Sequence, residues 1–201
     1  SIITKHGDCL LKANHNSGPV HLLTTQSSDE EIKAAVDSTV EQLKVDFGKL
    51  QNEPWYSDIK RGILVEKRLE LELGETDVRD YKFHVFKQSD GTFVVILGVY
   101  FNRNTNPTAS YFDENLNWLP FHGQFPSVVR KIDKPGNYSK MLHYAKILGE
   151  NFSYARVDFY NVNGKIYFGE MTFAHSNGSS YFSDYKYDLW MGNLWQGDPR
   201  Y

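Results

Sequence analysis

At 201 residues with 40% apolar content, the chain is long enough for one domain, or for two small lobes, around a real core. Its net charge of −3 argues against bulk nucleic-acid binding, although local basic clusters can still hold phosphate. No apolar run approaches the ~20 residues that span a bilayer, and the N-terminus lacks the regions of a signal peptide, so stable membrane insertion is not expected and a cytoplasmic location is.

In chain order, Cys9 to Lys12 and Pro19 to Thr24 read as two short strands around the polar turn Asn14-His15-Asn16-Ser17-Gly18. Cys9 is the one cysteine, so neither an internal disulfide nor a cysteine zinc site is expected. Ser28 and Glu31 form a capping-box pattern, and Ile32, Val36, Val40, Leu43 and Phe47 then recur at helical spacing, which predicts a helix running to Gly48. Gln51 to Arg61, with Pro54, Trp55 and Tyr56, has no period and reads as a connection or lid. Gly62 to Leu69 begins as an apolar strand and turns charged. Arg79 to Lys87 and Thr92 to Phe101 flank the Asp90-Gly91 turn as a hairpin. Asn102 to Asn137 is rich in turn residues and is expected to be irregular and near the surface. Tyr138 to Asn151 carries Met141, Tyr144, Ala145 and Leu148 on one side and reads as a second helix. The aromatic content of 15%, with thirteen Tyr and thirteen Phe, suits sheets packed on helices.

The most informative segment is Tyr154 to Phe173, two β-rich runs around Asn163-Gly164. With Val162, Asn163 and Gly164 as a three-residue loop, Asn161 pairs with Lys165, Arg156 lies opposite Glu170 and Asp158 opposite Phe168. Arg156, Asp158, Tyr160, Phe168, Glu170 and Thr172 then share one face. Val157, Phe159, Tyr167, Gly169, Met171 and Phe173 share the other. Asp158 and Glu170 would sit diagonally, at roughly 7 to 8 Å between backbone positions, close enough to share a divalent ion. The plain alternative is a surface salt bridge between Arg156 and Glu170.

The stretch RVDFYNVNGKIYFGEMTF resembles the metal-binding hairpin of ATP-grasp enzymes, and most closely that of the TupA-like group linked to teichuronopeptide and other surface-polysaccharide synthesis. LLKANHNSG, ILVEKRL, RDYKFHVF and YDLWMGNLW match in the same order, so the resemblance covers nearly the whole chain. It implies the ATP-grasp fold, two α+β lobes holding the nucleotide between them, here residues 1–75 and 76–201. The additional region that usually precedes the strand of Lys12 is expected to be absent.

Carried over by position, the resemblance makes Lys12 the lysine on the α- and β-phosphates and Asn14, His15, Asn16, Ser17 and Gly18 the loop that closes over them. Asn16 stands where related proteins usually have Gly. Glu66, Lys67 and Leu69 match the adenine-reading segment, and Lys82 the basic residue at the terminal phosphates. Asp158 and Glu170 match magnesium ligands, with Thr172 in place of the more usual Asn. Arg156 matches the arginine that offsets charge on the transferred phosphoryl group. Asp80, Arg103, His175 and Ser176 are candidate substrate contacts, and Arg103 and Arg130 equally read as surface charges. From the residues alone, Lys12 is as well a solvated strand lysine, GILVEKRL a strand leaving the core, Lys82 an outward lysine and His175 an ordinary loop histidine.

The implied activity is ATP- and Mg2+-dependent ligation of a carboxylate acceptor, a saccharide or peptide polymer, to an amine donor through an acyl phosphate. Asn16, Thr172 and the short N-terminus keep open a nucleotide-binding module without turnover. A glycosyltransferase ranks behind both, since the chain has neither an Asp-x-Asp metal motif nor a Rossmann pattern.

Overall fold

The computed structural model of the chain describes residues 2–71 and 77–197. It divides into two units, Ser1–Leu69 and Glu70–Tyr201. The boundary expected between residues 75 and 76 lies outside the described residues. Among the described residues no helix is long and apolar enough to cross a membrane.

In the first unit a short helix α1 (Ile2–His6) leads into β1 (Cys9–Ala13) and β2 (Val20–Leu23), and β3 (Ile63–Lys67) closes an antiparallel sheet of order β2-β1-β3. Alternation along β1 turns Cys9, Leu11 and Ala13 inward. Cys9, as a free thiol, Leu11, Leu23, Ile3 and Ala35 make one small core.

Helix α2 (Asp29–Gln42) starts as its sequence demands: the Glu31 N–H donates to the Ser28 hydroxyl, and the Ser28 N–H donates to the Glu31 carboxylate at 2.8 Å. Its far end differs from expectation. The helix stops at Gln42, and a separate turn, α3 (Phe47–Gln51), begins after Asp46, which accepts the Lys49 N–H at 3.2 Å. Its inward stripe is also displaced by one position. Ile32, Ala35 and Thr39 face the sheet, while Val36 and Val40 are exposed. The small Ala35 and Thr39 let the helix approach the sheet, and the Thr39 hydroxyl satisfies itself on the Ala35 carbonyl at 2.8 Å.

The second unit is an antiparallel six-stranded sheet of order β7-β6-β5-β4-β8-β9, built from β4 (Asp80–Lys87), β5 (Phe93–Phe101), β6 (Thr108–Asp113), β7 (Trp118–Leu119), β8 (Tyr154–Val162) and β9 (Lys165–Thr172). One face, including Phe83, Leu97, Phe112 and Val157, packs under α4 (Tyr138–Gly149). The helix turns Tyr138, Met141, Ala145 and Gly149 inward and leaves Tyr144 and Leu148 exposed, against the side expected for them. A Cβ on Gly149 would meet Val85 Cγ1 at 3.0 Å, so the missing side chain allows the close fit of helix on sheet. At the lower end of the opposite face, Phe86, Ile96, Tyr111 and Phe121 pack with Met191 of α5 (Tyr185–Leu194).

Two further corrections concern this unit. The stretch expected to be irregular between Asn102 and Asn137 holds β6 and β7, and residues 108–112 are buried. Thr108, Ala109 and Ser110 are small, and the strand is covered on both faces, so it lacks the alternation that marks a half-exposed strand. In the β8–β9 hairpin the loop is the two residues Asn163 and Gly164, with φ of 49° and 72°, so Val162 pairs with Lys165. A bulge between the pairs Asp158–Glu170 and Phe159–Phe168 then absorbs Gly169. Phe168 therefore joins Phe159 on the apolar face, and Tyr167 joins Tyr160 on the other. A Cβ on Gly169 would stand 3.2 Å from both the Asp158 carbonyl oxygen and Tyr160 Cε2, which is why this residue takes the bulge.

Candidate active site

Alternation along β4 sends Tyr81, Phe83 and Val85 to the core and leaves Asp80, Lys82 and His84 on the opposite face. The registers extend that face sideways in rows. Asp80 neighbours Tyr160 on β8 and Tyr100 on β5; Lys82 neighbours Asp158, and Asp158 in turn Glu170; His84 neighbours Arg156, and Arg156 in turn Thr172. Asp158 and Glu170 are thus directly opposed, not diagonal, and the bulge beside them keeps both on one face.

A network of ion pairs joins the rows. Arg156 donates through Nε and Nη2 to the two oxygens of Asp158, at 2.8 and 2.9 Å. Lys82 Nζ donates to Asp158 Oδ2 and lies 2.9 Å from Asp80 Oδ2, an oxygen that also accepts from Arg103 Nη1 at 2.9 Å. Arg156 Nη2 stands 3.6 Å from Glu170 Oε1, which accepts the Thr172 hydroxyl at 2.6 Å. Three carboxylates face three cations, so the cluster is charge-balanced. Burial is uneven across it: Asp80, Lys82, Arg156 and Asp158 are buried, while the Glu170 side chain is 54% exposed.

Burial raises the Asp80 carboxyl above its usual range despite the pull of Lys82. Its Oδ1 has no hydrogen-bond partner among the described residues. Burial works against the Arg156 charge, but the hydrogen bonds to Asp158 together with the charges of Asp158 and Glu170 outweigh it and hold the guanidinium protonated. Lys82 Nζ also lies 5.3 Å from the centre of the Tyr100 ring.

Among the described residues there is no group of three or more acidic, histidine or cysteine side chains that could hold a metal. Magnesium does not require one: it is commonly bound by one or two carboxylates and takes its other oxygens from water and phosphate. The opposed Asp158 and Glu170, one held by Arg156 and Lys82 and the other exposed, fit that donor set.

His175 follows β9 in a short 3-10 turn, His175–Gly178. Burial, with the charges of Arg156 and Lys82, lowers it to about 4. The Ser176 side chain lies outside the described residues. Arg130 lies over the Trp118 ring at 4.9 Å. His84 and Tyr154 were not anticipated. His84 is 4% exposed, its Nδ1 is 3.0 Å from the Tyr154 hydroxyl, and its ring centre is 6.2 Å from that of His175. The signal was present in the alternation of Asp80, Lys82 and His84, and of Tyr154, Arg156 and Asp158.

In the first unit, Lys12 on β1 pairs with Glu66 on β3 at 2.8 Å. The loop after it is tied down by its own side chains. Asn14 donates to the Lys60 carbonyl at 3.0 Å and accepts the Gly62 N–H at 2.7 Å. His15 is buried with Nε2 3.1 Å from the Val45 carbonyl oxygen, and Asn16 donates to Gln42 Oε1 at 2.9 Å. Left-handed backbone falls on Gly18, at φ 137°, and not on Asn16. Ser17 and Gly18 complete the turn; Glu66 and Lys67 are exposed on β3, and Leu69 is half-buried.

The TupA-like ATPgrasp family matches residues 1–196. No curated protein matches the chain. Among solved structures it is similar to the D-alanine-D-alanine ligase of Helicobacter pylori, with 16% identity and a TM-score of 0.49 over 96% of this chain and 49% of that one. It is also similar to the D-alanine-D-alanine ligase of Bacillus anthracis, with 15% identity and a TM-score of 0.43 over 90% and 48%. The chain spans about half the length of these two structures.

Proposed function

Because the chain belongs to the TupA-like ATP-grasp family and has the α+β fold of ATP-grasp ligases, we propose that it is part of a magnesium- and ATP-dependent carboxylate-amine ligase. The observation that carries this reading is the cross-strand pair Asp158–Glu170, held beside Lys82 and Arg156 on one sheet face. Hard carboxylate oxygens beside two buried cations suit a nucleotide's terminal phosphates and the ion that accompanies them. Asp158 and Glu170, aided by the Thr172 hydroxyl, would hold magnesium, which when bound draws charge from the phosphate oxygens.

The substrate carboxylate oxygen attacks the γ-phosphorus, the bond from that phosphorus to the β–γ bridging oxygen breaks, and ADP leaves. Lys82 and Arg156 offset charge on the phosphoryl oxygens during this step. The amine then attacks the acyl carbon, inorganic phosphate departs with its oxygen, and a proton is released from nitrogen. Arg156 is well suited to both steps because Asp158 fixes its plane from two directions. In the first unit, Lys12, the backbone of Asn14 to Gly18, and Glu66, Lys67 and Leu69 are the proposed contacts to ATP. Cell-surface polysaccharide or peptide-polymer assembly in the cytoplasm is the proposed setting, resting on the family.

ATP-dependent phosphate release, measured with panels of acids and amines, tests the reading. Release that requires magnesium, an acid and an amine, with an amide as product, supports it. Saturable Mg-ATP binding without acid-dependent release favours instead a nucleotide-binding module. That second reading is supported by Thr172, whose hydroxyl is engaged with Glu170.

A further inference from the structure

Next to the phosphate-handling residues the same sheet face holds a second polar site that the ligation scheme leaves unused. His84 follows Lys82 by one alternation on β4 and lies opposite Arg156 on β8. It is almost fully buried, yet its Nε2 has no hydrogen-bond partner among the described residues. An imidazole nitrogen in that position ordinarily finds a partner, and one that lacks it beside a reaction centre points to a ligand atom.

The groups around the ring define the ligand. The Tyr154 hydroxyl meets Nδ1 at 3.0 Å, and Tyr111 and His175 flank the ring at centre distances of 6.3 and 6.2 Å. The charged groups that act on it, Arg156 and Lys82, are both cationic, and they reinforce burial in keeping the ring neutral. Burial also keeps Tyr154 protonated. With the Tyr154 hydroxyl as donor to Nδ1, the ring is the tautomer that carries its proton on Nε2. In that tautomer the site offers one buried N–H donor in a locally positive setting, next to the guanidinium and ammonium that would meet the γ-phosphate. Its complement is a single anionic oxygen.

We propose that His84 is a specificity-determining residue that donates from Nε2 to one oxygen of the acid substrate's carboxylate, leaving the other oxygen to attack the γ-phosphate over Lys82 and Arg156. Tyr154 acts as a positioning residue by holding the donor tautomer. This assignment rests on the ligase reading and names the residue that selects its acid.

Nitrogen-15 spectra of the histidine rings, recorded on the chain with Mg-ATP and titrated with acetate or D-alanine, test it. The expected result is a protonated Nε2 on His84 at neutral pH, and a resonance that shifts saturably with these carboxylates but not with the corresponding amides. In calorimetric titration of the Mg-ATP-loaded chain, H84F abolishes carboxylate binding and H84Q, which keeps a donor, retains part of it, while in the nitrogen spectra Y154F shifts His84 toward the other tautomer. In turnover, the KM for the acid rises about tenfold or more in H84F, as for a lost hydrogen bond to a charged group. An unprotonated Nε2, or an H84F chain that answers carboxylates like the wild type, overturns the assignment and leaves the ligase reading intact. Failure of the wild-type chain to bind Mg-ATP overturns the ligase reading, and the assignment with it.

Discussion

Asp158 and Glu170 sit opposite one another yet have different duties in folding. Asp158 is buried between Arg156 and Lys82, so Asp158→Ala takes their shared partner from two buried cations, leaving Lys82 only Asp80 and Arg156 only the exposed Glu170, and should destabilise the chain by about 3 kcal/mol in urea denaturation. Glu170 is more than half exposed, and Glu170→Gln should change stability by no more than about 0.5 kcal/mol. The same exposed substitution is expected to weaken magnesium-dependent ATP binding, which separates a ligand role from a structural one. His175 supplies a pH test. Its folded-state value of about 4 lies below the value of about 6.5 in an unfolded chain. Its contribution is complete above the unfolded value and is lost as the pH falls toward 4, because only the unfolded chain takes up the proton. Between pH 6.5, where the unfolded imidazole is half-protonated, and pH 5 this amounts to about 1.5 kcal/mol, and His175→Asn should remove that part of the slope.

Among elements, the β8–β9 hairpin shows what a sequence pattern conveys and what it hides. The two β-rich runs and the Asn163-Gly164 turn were plain, and the face shared by Arg156, Asp158, Glu170 and Thr172 came out as expected. The path to it did not. A two-residue turn shifts the register by one, and the bulge at Gly169 shifts it by one more in the same sense, so together they return Glu170 to the expected face but to a partner two residues away from the expected one. A glycine inside a strand pattern was the available clue. Gly169→Val would press a branched side chain against the Asp158 carbonyl and Tyr160, and should cost about 1 to 3 kcal/mol while disturbing the Asp158–Glu170 pairing. Helix α2 is the simpler case, since Ser28→Ala breaks a capping box that is fully formed and should cost about 1 kcal/mol. Its start was legible because capping is local. Its end and its buried stripe were not, because which residues touch the sheet depends on the small size of Ala35 and Thr39 rather than on apolar spacing. Strand β6 was hidden for a related reason: burial on both faces removes the alternation that announces a strand. His84 shares that condition, as a polar residue in a buried strand whose role depends on neighbours from β8.

At the scale of the molecule, the proposed ATP contacts are divided between two units. Lys12 and the turn from Asn14 to Gly18 belong to the first; Lys82, Arg156, Asp158 and Glu170 belong to the second. Each unit builds its part from one sheet: β1 and β3 present Lys12 and Glu66, while β4, β8 and β9 present the charged rows. The turn after Lys12 is tied by Asn14, His15 and Asn16 to Lys60, Val45 and Gln42, a more anchored arrangement than the closing loop expected from sequence. The measurement that bears most directly on the central claim is calorimetric titration of the chain with ATP, with and without magnesium, for wild type and Glu170→Gln. The proposed site predicts saturable binding that depends on magnesium and is weakened about tenfold or more by a substitution that leaves the fold intact. Binding that ignores both magnesium and Glu170, or no binding at all, would contradict it.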